Sequence, residues 1–341
     1  MMTATYKSVM LTRKGGPEVL EMVETPLRAP NPGEARVRVL ATGVGFTDVI
    51  MRIGYYPYAP KIPFAPGYEV VGVVDAVGDG VTDVVVGQPV AALTVHGGYA
   101  EYIYRAASEF VPCPETLDPA EAAALVLNYA TAYQMLHRVA NIQPGKRMLL
   151  NAAGGGVGTA LIQLAQAAGI TDIWGIASAN KQAALETMNV QTIDYKTQDF
   201  VPIIKGVGGV DAAFDGIGGA YVRRMFTVLR AGGTLAAYGL TASIKEGKSN
   251  NLPVVFGFAN LFLLDAIPDG KRCRFYGITQ LYRRDPKQFR EDLPKLFALL
   301  EQGKIKPVIA ARLPLIAARR ANEMVERGET VGKVILQVSE P

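Results

Sequence analysis

Three features of the sequence predict an α/β fold built from a small β-barrel and a doubly wound parallel sheet. Between Tyr6 and about Leu125, short apolar runs alternate with Gly, Pro and Asp turn signals, as barrel strands do. From Asp118 to about Thr279, strand-like and helix-like stretches alternate, which implies a parallel sheet covered on both faces. Between Leu149 and Gln166, an apolar run enters a glycine turn and leaves it as a helix. The 341 residues suffice for two domains of about 100–200 residues each. We place them at 1–126, completed by 281–341, and at 127–280.

Each element has its own signal. Ala35-Arg36-Val37-Arg38-Val39-Leu40 alternates apolar and polar after the turn Asn31-Pro32-Gly33, the pattern of a half-buried strand. Residues 69–77 form a strand entering Gly78-Asp79-Gly80, and 84–86, 90–93 and 98–103 add further short strands. Asp118-Pro119 starts a helix, because aspartate caps free N–H groups and proline is pre-shaped for the first turn. Beyond the glycine turn we expect strands at 173–178, 192–195, 210–215, 233–238 and 274–279, with a helix at 181–188. The tail carries helices at 289–300 and 317–327 and a last strand at 331–338.

Bulk composition excludes several function classes. The net charge is only +4 and no basic run is interleaved with aromatics, so nucleic acid is not an expected partner. Two cysteines, Cys113 and Cys273, give no disulfide framework and fit a reducing compartment. With only His96 and His137 beside them, Cys and His side chains are scarce, so a usual Cys/His zinc site is not expected. The first residues lack a signal peptide's apolar core, and no apolar run reaches the roughly 18 residues of a membrane span. A cytoplasmic location is the expectation.

The turn Asn151-Ala152-Ala153-Gly154-Gly155-Gly156-Val157-Gly158 is a phosphate cradle by its chemistry. Glycines let the backbone approach a pyrophosphate, and the following helix start offers N–H groups and the positive end of its dipole. In NAD-binding folds an acidic residue about twenty positions on holds the ribose hydroxyls. Here Ser178-Ala179-Asn180-Lys181 stands there instead, with a hydroxyl and a cation suited to a 2′-phosphate. NADPH is therefore the expected cofactor.

With these residues in view, the chain resembles the medium-chain dehydrogenase/reductase superfamily. The similarity lies nearest the zinc-free quinone oxidoreductase branch and its vesicle amine transport protein-like subgroup. It runs over essentially the whole length, through Gly54-Tyr55-Tyr56-Pro57, Pro66-Gly67-Tyr68-Glu69, Glu121-Ala122-Ala123-Ala124-Leu125, Asn128-Tyr129-Ala130-Thr131-Ala132-Tyr133, the glycine turn, Ile193-Asp194-Tyr195 and Val331-Gly332-Lys333-Val334. The resemblance implies a GroES-like barrel domain and a Rossmann domain with the active site in the cleft between them. It also implies cofactor contacts at Thr131, Gly155, Gly156, Val157 and Gly158, at Ser178, Lys181 and Tyr195 around the adenosine phosphate, at Tyr238, Gly239 and Leu240 beside the nicotinamide ribose, and at Lys333. Zinc-dependent relatives carry a metal-binding cysteine where this chain has Gly45 and a histidine where it has Tyr68, so no metal is expected. The branch usually has asparagine at Gly45, and some relatives place a tyrosine at Ile50; both changes make the pocket less polar.

The chemistry expected is hydride transfer from NADPH to an electron-poor acceptor, a quinone or an enal or enone. Tyr56 is the candidate to hydrogen-bond the acceptor oxygen or relay a proton, with water as the alternative donor. Arg52 is read as a structural residue, ion-paired with Asp48. Phe256, Phe258, Leu261, Phe262, Leu263 and Leu264 are read as a substrate roof, a subunit interface or core. The strand at 275–279 corresponds to the edge that pairs relatives into dimers, so a C2 homodimer is expected. The competing reading is a weakly catalytic NADPH-binding protein that docks to membranes or partners through 252–264.

Overall fold

The computed structural model describes residues 4–239 and 260–338. The chain divides into two units, one holding residues up to Ala130 and from Asp285 onward, the other Thr131–Arg284. In the first unit, β1 (Thr5–Leu11) and β2 (Leu20–Pro26) pair antiparallel. Next come β3 (Glu34–Val44), β4 (Glu69–Val77), β5 (Pro89–Leu93), β6 (Tyr102–Ala106) and β7 (Val111–Pro112). The alternation read in β3 has a direct cause: Ala35, Val37, Val39 and Ala41 are all buried, whereas Arg36 and Arg38 turn outward. The segment 84–86 is loop rather than strand, and the strand expected from Gly98 begins only at Tyr102.

A helix interrupts the strands. α1 (Phe46–Ile53) starts at Gly45, whose N–H donates to Asp48 Oδ2 at 2.8 Å. The other carboxylate oxygen of Asp48 accepts the N–H of Gly67 at 3.0 Å. Asp48 is thus committed to backbone donors, and the expected Arg52–Asp48 ion pair is not formed. Arg52, fully buried, instead donates to Glu326 Oε2 at 2.7 Å and to the carbonyl of Gly15 at 2.6 Å. α2 (Pro119–Ala124) begins as the sequence predicts, with the Asp118 carboxylate accepting the N–H of Glu121 at 3.0 Å. It runs on through π-helical turns at Leu125–Tyr129, a short α3 (Ala130–Gln134) and π-helical turns at Met135–Ala140.

The second unit is built on β8 (Arg147–Leu150), β9 (Asp172–Ala177), β10 (Gln191–Asp194), β11 (Val210–Asp215), β12 (Leu229–Ala237) and β13 (Arg272–Phe275). Among the described residues they form one six-stranded sheet, ordered β10-β9-β8-β11-β12-β13, with every neighbouring pair parallel. The crossovers include α4 (Gly156–Ala167), α5 (Ala179–Glu186), α6 (Phe200–Gly206) and α7 (Ala220–Thr227). Leu149, Ile176, Phe200, Ile204, Met225, Phe226 and Leu235 meet in a core cluster between sheet and helices. The chain leaves β8 outward through β9 and β10, then crosses back to β11, so its direction reverses between β8 and β11. The last expected strand is cut short. β13 stops at Phe275, and Ile278 and Thr279 open α8 (Ile278–Arg284) instead.

The tail returns to the first unit. α9 (Lys287–Glu301), β14 (Ile309–Pro314), α10 (Ala318–Arg327) and β15 (Lys333–Gln337) complete it. β14 and β15 extend the first unit's sheet to β14-β15-β3-β4-β5-β7, with β6 also paired to β3. Among the described residues of this sheet, only the β14–β15 pair is parallel.

Candidate active site

In open parallel sheets, ligands bind beyond the carboxyl ends of the strands at the point where strand order reverses. Asn151 follows β8 and Asp215 ends β11, the two strands that flank that point, and both side chains are fully buried. Asn151 Nδ2 donates to Asp215 Oδ1 at 2.5 Å, and Asn151 Oδ1 accepts the N–H of Gly216 at 2.7 Å. Asp215 Oδ1 also accepts the N–H groups of Ile217 and Gly218, while Oδ2 is buried with no hydrogen bond among the described residues. Burial pushes the Asp215 carboxyl above its ordinary range despite these donors. The sequence reading missed this pair. Its signal was a polar residue at the end of each of two apolar strands.

The glycine turn fits the pyrophosphate of a dinucleotide. Gly155 caps α4 without a side chain, and its N–H donates to the carbonyl of Ala152 at 2.9 Å. Ala152 holds φ +51°, a left-handed conformation that costs a non-glycine residue about 1–2 kcal/mol. A Cβ on Gly158 would lie 2.4 Å from the Ala153 oxygen and 2.6 Å from that of Ala152. Glycine there lets the first turn of α4, including Gly156 and Val157, close onto the loop. The free N–H groups of that turn then face one spot.

Lys181 borders the same loop. A Cβ on Gly154 would meet Lys181 Cδ at 2.7 Å, so the lysine's methylene stem crosses the glycine turn. Partial burial pulls the ammonium's pKa down from the ordinary lysine value. Ser178 caps α5, and its hydroxyl donates to Asn180 Oδ1 at 2.5 Å. Tyr195 follows β10, and its N–H donates to the carbonyl of Ala177 at 3.3 Å, which sets it beside Ser178 on the neighbouring strand. Ser178, Lys181 and Tyr195 therefore share the carboxyl edge of β9 and β10.

The remaining expected residues fall elsewhere in the two units. Tyr238 and Gly239 follow β12, and both N–H groups donate to the carbonyl of Asp215, at 2.8 and 3.2 Å. A Cβ on Gly239 would stand 1.8 Å from the Gly216 oxygen, so glycine is obligatory there. Thr131 is buried in the helical run that ends at Ala140. Leu240, like Phe256 and Phe258, lies outside the described residues.

Tyr56 and Lys333 belong to the first unit. Lys333, expected to approach a cofactor, is 4% exposed, with Nζ 2.5 Å from Glu69 Oε1. The two side chains form a buried ion pair. Burial raises the carboxyl pKa of Glu69 and of Asp48, against the pull of the Lys333 ammonium. Tyr56 shares a hydrogen bond with Tyr68, oxygen to oxygen 2.5 Å, and their rings meet edge to face at 6.1 Å. Around Gly45 there is room for a side chain: its Cβ would have only ordinary contacts at 3.8 Å, to Asp48 Oδ2, Leu127 and Lys333 Nζ. Among the described residues no group of three or more His, Cys, Asp and Glu side chains is placed to hold a metal ion.

Two family models match stretches of the chain. Residues 31–115 match the alcohol dehydrogenase GroES-like domain, and residues 190–336 match the zinc-binding dehydrogenase model. The human synaptic vesicle membrane protein VAT-1 homolog is 33% identical over 339 residues, covering 97% of this chain and 86% of its own. The chain belongs to the medium-chain dehydrogenase/reductase superfamily. Another relative in the superfamily, rat quinone oxidoreductase, is 30% identical, with 97% of each chain covered. Two solved structures overlay closely. Mycobacterial Rv1454c complexed with NADPH has a TM-score of 0.82 at 29% identity, covering 97% of this chain and 99% of its own. The CurK enoyl reductase has a TM-score of 0.84 at 25% identity, covering 98% and 100%. The expected GroES-like and Rossmann-type architecture is thus established, in an oxidoreductase of this superfamily.

Proposed function

We propose that this protein is a zinc-independent, NADPH-dependent reductase of quinones or α,β-unsaturated carbonyl compounds. The observation that carries the cofactor choice is Lys181, whose stem lies on the glycine turn at the strand end where an NAD-binding fold places a carboxylate. An ammonium there attracts a 2′-phosphate, and the Ser178 hydroxyl, whose one proton goes to Asn180 in the structure, would turn that proton to the phosphate when it binds. The NADPH held by the mycobacterial relative supports the same choice. Bound reduced nicotinamide supplies a hydride. The chain's own residues would bind and orient: Gly155 to Gly158 are the candidates to hold the pyrophosphate, Thr131, Tyr238, Gly239 and Leu240 the candidates for the nicotinamide end, and Tyr56 the candidate to hold the acceptor oxygen. Gly45 and Tyr68, at the positions where zinc-dependent relatives keep their ligands, offer neither thiolate nor imidazole, which supports a metal-free reaction.

The acceptor classes follow from the quinone oxidoreductase and enoyl reductase among the similar proteins, and from the uncrowded Gly45. Lys181→Ala tests the cofactor choice. Measured by quenching of the lone Trp174, NADPH affinity falls about tenfold while NADH affinity holds, the scale of one partly exposed charge-assisted hydrogen bond. Equal loss for both cofactors would contradict it. We also propose a homodimer, which the place of β13 at the end of the sheet, among the described residues, supports and light scattering tests.

A second reading has one observation behind it. On the helix at 260–265, Phe262 and Leu263 are 76% and 67% exposed, and the human relative is named as a vesicle membrane protein. Sedimentation with anionic vesicles tests it: association lost in a Phe262→Ser, Leu263→Ser variant supports docking, and no association removes it.

A further inference from the structure

Tyr68 stands where zinc-dependent relatives keep a metal ligand, and the structure gives it a different task. It is 1% exposed, at the root of β4, whereas Tyr56 sits half-buried in the loop after α1. The hydrogen bond of the Tyr68 hydroxyl, among the described residues, is to Tyr56 Oη. A buried O–H left without an acceptor costs about 1–3 kcal/mol. If Tyr56 donated to Tyr68, the Tyr68 proton would be the stranded one, so the direction is fixed: Tyr68 donates and Tyr56 accepts. The charged and titratable groups around the pair reinforce this. Asp48 on α1, Glu69 on β4 with Lys333 on β15, and the ring of Tyr58 at 5.7 Å surround it. Burial first, then the Tyr56 phenol and the two carboxylates, hold the Tyr68 hydroxyl protonated far above the ordinary tyrosine range.

We propose that Tyr68 is a positioning residue that donates to Tyr56 Oη and so stabilises the phenolate that forms when Tyr56 gives its proton to the acceptor's oxygen. This rests on the reductase reading and names the proton route within it. Reduction of the acceptor takes two electrons and two hydrogens, one as hydride from the cofactor and one as a proton. The proton leaves Tyr56 Oη as the new O–H bond of the enol or hydroquinone forms. The Tyr56 phenolate left behind is stabilised by the O–H of Tyr68, and solvent returns its proton. An enol product then tautomerises in water.

Tyr56→Phe, Tyr68→Phe and the double variant separate this from a packing role. Tyr56→Phe lowers kcat about 100-fold, the low end of general-acid contributions, and Tyr68→Phe lowers it about tenfold. NADPH affinity by Trp174 quenching stays unchanged in both. The alkaline limb of the kcat profile moves to higher pH in Tyr68→Phe, because the phenolate has lost its donor. The double variant is no slower than Tyr56→Phe. Multiplying effects, or an unmoved alkaline limb, would overturn the proposal. A readout without turnover keeps it independent of the reductase reading. With ζ-13C tyrosine, the Tyr56 resonance, assigned by its loss in Tyr56→Phe, titrates at higher pH in Tyr68→Phe than in the parent. No difference would overturn the dyad even in an active enzyme. A shifted titration with no turnover on any acceptor would leave the dyad standing and overturn the reductase reading.

Discussion

A methyl group at Gly158 has nowhere to go, with two backbone carbonyl oxygens inside 2.7 Å of its position. Gly158→Ala therefore pushes α4 off the turn and spreads the N–H groups that converge on the pyrophosphate. We expect NADPH affinity to drop at least about tenfold with the circular dichroism spectrum retained, consistent with the loss of one or more charge-assisted hydrogen bonds. Unchanged affinity would mean that the turn does not hold the cofactor. At this scale, what is local in sequence was legible. The glycine spacing, the missing carboxylate after β9 and the aspartate cap of α2 all depend on neighbours within a few residues. Arg52–Glu326 and Lys333–Glu69 were not legible, because their partners lie on elements more than two hundred residues apart. Asp48 looked like a partner for Arg52, one helical turn away, until the cap of α1 claimed its carboxylate.

At the scale of elements, Asp215 ties the end of β11 to the end of β8 and to the loop leading into α7. Its carboxyl pKa is raised in the fold, so the folded state holds that proton more tightly than the unfolded chain does. Stability from this group is thus fullest below the ordinary carboxylate pKa, about 3.9, and declines as pH rises through the raised value. Asp215→Asn keeps an acceptor for Asn151, Ile217 and Gly218 and removes the charge. The melting temperature of the variant relative to the parent should rise as pH increases through that window. A difference independent of pH would contradict the sign. Element type was legible where periodicity ran unbroken, as in β3, β11 and α9. It failed where a turn residue interrupted an apolar run. Gly277 separates β13 from α8 inside what reads as one strand, and Gly45 turns the chain from β3 into a helix hidden among strands.

For the whole molecule, a ligand that binds only the folded state stabilises it by about 2.7 kcal/mol at one hundred times its dissociation constant. NADPH should therefore raise the melting temperature more than NADH at equal concentration, and Lys181→Ala should erase the difference. No helix among the described residues is long and apolar enough to cross a membrane. The two-unit architecture was legible because the parallel sheet and the antiparallel strands carry different periodicities. The division of labour within the first unit was not, since Tyr68, Glu69 and Lys333 meet only after the tail rejoins the sheet through β15.

The most direct test is NADPH oxidation by the purified protein against a panel of quinones, enals and enones, with NADH run in parallel. The account predicts turnover with NADPH on at least one of these acceptor classes, little turnover with NADH, and no loss after treatment with a zinc chelator. Tight NADPH binding without turnover on any acceptor, or a preference for NADH, would contradict it.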